Sequence, residues 1–225
     1  MESFNLTVNT MSFLLCDSQQ NKLCVLLYVV LISLMLITIC GNLLVIISII
    51  YFRYLHTPTN YLILSLAVAD LLIGALIFPL SMTFSLKPCM YIKNFFCNLR
   101  NTFDITISVS SLLNLCCISV DRYYAVCHPL IYKTKITDCV AVKMGLGSWA
   151  VAILSGTFVF LIYSFYPLDS FILYVLLEPF NWFSLSNSML NPFIYAFFYT
   201  WFRRAFKMII SGKIFQGDVT NIKLH

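Results

Sequence analysis

Charge is what this 225-residue sequence has least of: lysine, arginine, aspartate and glutamate make up 10% of it, against 60% apolar residues. A soluble domain carries about a quarter charged residues and needs them to cover its surface. This chain could not cover itself, and a lipid surround is the physical alternative. Its nine cysteines include no paired C-x-x-C arrangement, which excludes the usual zinc sites. Histidine is scarcer still: His56 and His128 fall at predicted inner loops and His225 ends the chain. None of them can act as a base for a serine within the membrane. No glycine-rich phosphate loop and no metal cluster can be read, and alternation of period two is missing, which argues against a barrel. An enzyme is not expected.

What the sequence does have is five long apolar stretches: Leu26–Ile50, Tyr61–Leu86, Phe95–Ala125, Val140–Ile162 and Phe171–Thr200. Each reaches the roughly 20 residues that a helix needs to cross a bilayer. The expected fold is an all-α membrane protein with five transmembrane helices and an amphipathic helix on the inner surface. Its organisation would be an extracellular leader over 1–23, a bundle over 24–200, and a cytoplasmic helix and tail over 201–225.

Orientation follows from the basic residues. With the N-terminus outside, the inner segments hold ten lysines and arginines, and the outer ones hold only Lys22, Lys87, Lys93 and Arg100. Positive residues favour the cytoplasmic side. The polar leader lacks the apolar core of a cleaved signal, so the first span is expected to act as an uncleaved anchor. Asn5-Leu6-Thr7 is a glycosylation sequon on the expected outer side. Cys16, Cys24, Cys89 and Cys97 fall on that oxidising side and are candidates for disulfides. Arg203–Lys213 alternates basic residues with Phe202, Phe206, Met208, Ile209 and Ile210. Such a pattern fits a helix on an anionic inner leaflet, not a nucleic-acid site.

Ionisable residues inside a membrane are costly and mark function by default. Asp70, mid-way along the second stretch, and Asp104, in the outer third of the third, both qualify. Asp104 and Arg122 are eighteen residues apart, which is five helical turns and about 27 Å of rise. They share one helix face near opposite membrane surfaces, with Ser111 between them. A stripe carrying an anion outside, a hydroxyl at mid-depth and a cation inside suits a signal passed across the bilayer better than catalysis.

Five motifs lie in order, one to each stretch: Gly41-Asn42, Leu66-Ala67-Val68-Ala69-Asp70, Asp121-Arg122-Tyr123, Trp149, and Asn191-Pro192-Phe193-Ile194-Tyr195. Together they resemble rhodopsin-like G-protein-coupled receptors. Finer stretches are similar to trace amine-associated receptors: Asp121 through Cys127, Lys133-Thr134-Lys135-Ile136-Thr137, and the tail Tyr195 through Ala205. The other aminergic receptors are the near alternative.

The resemblance implies a partial rhodopsin-like bundle and a set of roles. Asp104 would be the counter-ion for a small protonated amine, with Trp182 as an aromatic pocket wall. Asp70, Ser111, Asn187, Ser188 and Asn191 would form an internal sodium pocket, the ion acting as an allosteric modulator; no other cofactor is implied. Asp121, Arg122 and Tyr123 with Tyr195 would be the inner switch that meets a heterotrimeric G protein. A multi-pass plasma-membrane protein is implied, in an olfactory setting, with an inside C-terminus.

The likeness breaks between Ile162 and Tyr166. There the family has a second outer loop, a fifth span, an inner loop and a sixth span. Losing two spans keeps the tail inside. Cys97, which in the family bonds to that outer loop, loses its usual partner. The site would be open-sided and would lack its moving helix. The fourth and last spans are not neighbours in the family, so the short linker is expected to force a rearrangement. Leu185 stands where this subfamily has a tyrosine beside the counter-ion. A receptor fragment that at most pairs with full-length receptors and retains them in the endoplasmic reticulum is the alternative reading.

Overall fold

The computed structural model describes residues 21–80, 95–165 and 170–211, and all of the regular structure there is helical. In chain order the helices are α1 (Asn21–Tyr51), a 3-10 turn (Arg53–Leu55), α2 (Pro58–Leu72) running into a wide π turn (Ile73–Ile77), and α3 (Phe95–Cys127). They continue with α4 (Pro129–Lys135), α5 (Asp138–Phe165), α6 (Ser170–Phe198) and α7 (Thr200–Ile210). Four of them are long and apolar enough to cross a membrane: Tyr28–Tyr51, Pro58–Leu80, Leu99–Cys127 and Asp138–Ile162. The fifth long helix, α6, packs among these four.

Local chemistry sets several boundaries. Pro58 opens α2 at a position where its missing N–H costs nothing, and the Thr57 hydroxyl accepts from the Asn60 N–H. The π turn comes just before Pro79, whose ring cannot tolerate a regular helical carbonyl four residues back. Within that turn Gly74 is buried, and a Cβ on it would meet Ile39 at 3.0 Å and Thr38 at 3.2 Å on α1.

α1 and α6 are matched through a proline. Pro192 has no N–H to give the Ser188 carbonyl one turn back. The Asn42 amide supplies the missing donor, reaching that carbonyl at 3.3 Å. Gly41 beside it clears the space that the proline ring fills, since a Cβ there would lie 2.5 Å from the Pro192 Cβ. The Gly41-Asn42 pair and the Asn191-Pro192 pair are therefore two halves of one joint. In lipid, where no water can satisfy a freed carbonyl, such a joint is required.

α3 packs on α5, α2 and α6, and α5 packs on α3 and α2. α3 and α5 approach closely at Gly156, where an added Cβ would land on the Thr106 hydroxyl and 3.2 Å from the Thr102 carbonyl. α6 lies mainly against α1, with further contacts to α2, its π turn and α3. No extensive packing joins α5 to α6 among the described residues. The short connection expected to force a rearrangement lies outside the described residues. α7 turns off at Tyr199 and docks under the bundle, with Ala205 buried against Phe52 and Leu55.

Candidate functional site

Asp70 is fully buried and faces neighbours from two other helices. Its Oδ1 accepts from the Ser111 hydroxyl at 2.9 Å and the Ser188 hydroxyl at 2.7 Å, and its Oδ2 from the Asn191 amide at 2.5 Å. Asn187 closes the ring by donating to Ser111 at 3.4 Å. All five residues of the candidate sodium pocket thus meet at one point between α2, α3 and α6. Every donor on the carboxylate is neutral, and no lysine, arginine or histidine pairs with it among the described residues. A buried carboxylate without a counter-charge is costly, so this oxygen-rich cage is chemically suited to a small hard cation.

At the C-terminal end of α3 a second cluster closes on Asp121, also fully buried. Arg122 folds back on it at 2.8 Å and contacts the Thr59 hydroxyl as well. Thr59 and Tyr132 each donate to the carboxylate at 2.8 Å. Burial pushes the Tyr132 phenol up from its ordinary value, which keeps it neutral and able to donate. Thr59 and Tyr132 were not singled out by sequence reasoning. One begins α2 and the other lies in the loop helix α4, and no local pattern links them. Tyr195 is buried against Tyr199 and Phe202, but its hydroxyl has no hydrogen-bond partner among the described residues. The structure therefore does not join Arg122 to Tyr195. Tyr123 is exposed and rests edge-on against Tyr124 and His128.

Asp104 is half-buried, and Ser108 donates to it at a long 3.5 Å. Below it Ile107 and Leu185 pack in the core with Ile73 and Ile77. Trp182 is 48% exposed on the outward side of α6. Asn5, Cys16 and Cys89 lie outside the described residues, as do the side chains of Cys24 and Cys97. Away from these clusters, the Trp149 indole donates to Ser65 at 3.1 Å and ties α5 to α2.

Residues 41–170 match the family described as 7 transmembrane receptor (rhodopsin family). The chain is 32% identical to trace amine-associated receptor 2 of Mus musculus, over 84% of this chain and 85% of the relative. It is 30% identical to trace amine-associated receptor 1 of Homo sapiens, over 88% and 91%, and 29% identical to trace amine-associated receptor 4 of Rattus norvegicus, over 88% and 89%. The first alignment runs over 289 positions, more than 84% of a 225-residue chain can fill. About a hundred residues of that relative therefore face no residue here.

Proposed function

The chain belongs to the rhodopsin family of seven-transmembrane receptors, a family of multi-pass receptors and not of enzymes, and on that premise we propose that it is a trace amine-type receptor protein. In this reading Asp104 holds a small protonated amine, and the Asp121–Arg122–Tyr123 end of α3 meets a heterotrimeric G protein. The observation that carries it is the similarity to trace amine-associated receptors over most of their length, with Asp104 standing in the outer half of α3. A carboxylate close to low-dielectric surroundings is the natural partner of an ammonium group. The orientation supported by the basic residues puts the N-terminus outside the plasma membrane and α7 at the inner leaflet, and makes Asn5 a glycosylation candidate. Dose-dependent cAMP responses to amines, abolished by Asp104→Ala, are expected. A flat response at confirmed surface expression would sink this reading.

Sodium fits the Asp70 cage on the chemistry of its donors. Asp70, with the hydroxyl oxygens of Ser111 and Ser188 and the amide oxygens of Asn187 and Asn191, would hold the ion. Bound there, the cation would neutralise the carboxylate and favour the closed packing of α2, α3 and α6.

The missing stretch of about a hundred residues favours a second reading, in which the chain does not signal. It would instead pair with full-length receptors and hold them in the endoplasmic reticulum. Co-expression with a full-length trace amine-associated receptor tests this: an unchanged surface level of that receptor rules the retention role out.

A further inference from the structure

We infer that the open side of this bundle is a docking surface for a pair of transmembrane helices supplied by a homologous receptor. The inference rests on the family membership above and deepens the pairing reading; it does not depend on amine binding. On α3, Leu112, Cys116, Ser119 and Tyr123 recur three or four residues apart, with Val120 beside them, and all are exposed. On α6, Phe183, Leu190 and Ile194 form a matching exposed stripe. The Asn187–Ser111 hydrogen bond joins the two helices that carry these stripes.

Two observations name the occupant. The first is what the relatives carry: about a hundred residues without a counterpart, enough for two membrane crossings of about 20 residues with their loops. The family match ends at residue 170, where α5 has just given way to α6. The second is the character of the surface. Helices in lipid gain nothing from mutual hydrophobicity and associate through close packing of small residues. The centre of the α3 stripe is small, with Cys116 and Ser119. Exposed residues of α5 between Ile153 and Leu161 are mostly bulky, namely Ile153, Leu154, Phe158 and Leu161, and suit lipid tails. The exposed Arg122 borders the inner end of the α3 stripe and presents a polar group to whatever covers it.

The test co-expresses the complete chain with a tagged two-span segment, the fifth and sixth spans of human trace amine-associated receptor 1. Co-purification is expected to exceed that of an unrelated two-span segment. It should fall roughly tenfold for Ser119→Trp and stay unchanged for Leu154→Trp on the lipid-facing side of α5. Because Ser119→Trp could fail to fold, the unaltered chain supplies a second readout: the docked segment should protect Cys116 from a membrane-permeant maleimide. Equal capture of both segments, equal loss in both variants, or undiminished labelling of Cys116 would overturn the proposal. So would crosslinking of Cys116 only to a second copy of this chain, which would make the face a homodimer surface. Failure of capture leaves the amine assay untouched, because that assay needs this chain alone.

Discussion

Two carboxylates within the spans, Asp70 and Asp104, look alike in the sequence and are opposites in the structure. Asp70 is fully buried and takes three hydrogen bonds of 2.5–2.9 Å from α3 and α6. Asp104 is half-buried, with a 3.5 Å contact from its own helix. The difference lies in which neighbours remain. Asp70 depends on α3 and α6, both present and packed. Asp104 is only partly buried and is not enclosed as Asp70 is. In the proposed reading the Asp70 cluster holds the helices together and Asp104 recognises the ligand.

One large effect is expected where the intact region is broken at its joint. Gly41→Leu would drive a side chain into the Pro192 ring, which the helix backbone holds in place. Overpacking of this kind costs about 1–3 kcal/mol or more. The measurement is the melting temperature in detergent, with Gly147→Ala as control, since a Cβ at Gly147 meets nothing within 4 Å. If both variants melt alike, the α1–α6 joint does not limit stability.

Next, Asp70→Ala would orphan two hydroxyls and an amide, and each buried unsatisfied group costs about 1–3 kcal/mol. Asp104→Ala, at a half-buried carboxylate, should lower the melting temperature less than Asp70→Ala does and should abolish amine binding. A stability loss at Asp104 as large as that at Asp70 would erase the contrast between the two regions. Sodium sharpens the same comparison: replacing choline chloride by sodium chloride should raise the melting temperature, and Asp70→Asn should remove that rise.

Asn42→Leu is smaller in scale, since it strips the donor that replaces the one Pro192 lacks. A loss of about 1 kcal/mol, read as a lower melting temperature, is expected. The smallest effect concerns Tyr132. Its folded phenol holds its proton more tightly than the unfolded one, so its contribution is complete below pH 10.0 and lost as pH rises above it. Tyr132→Phe should therefore flatten the alkaline end of a stability profile. An unchanged slope would show that this contact does not stabilise the inner cluster.

Much of the fold class could be read from the chain, because the bilayer imposes its thickness on any helix that crosses it. Other features could not. The wide turn at Ile73–Ile77 leaves no run-length signature. The meeting of Asp70 with Ser188 and Asn191, across 118 and 121 residues, was visible only through resemblance, since no periodicity links one helix to another. Thr59 and Tyr132 escaped even that, because their roles come from the approach of an inner loop to the end of α3.

By itself the sequence determined that the chain belongs in lipid, that it crosses as helices and which ionisable groups the membrane would have to tolerate. These are local properties, summed along one segment at a time. Only the tertiary structure decided which partners meet the groups that it draws into interhelical clusters, as at Asp70 and Asp121. That outcome depends on how the helices are rotated and how closely they approach, and those are set where Gly41 meets Pro192 and Gly156 meets Thr106.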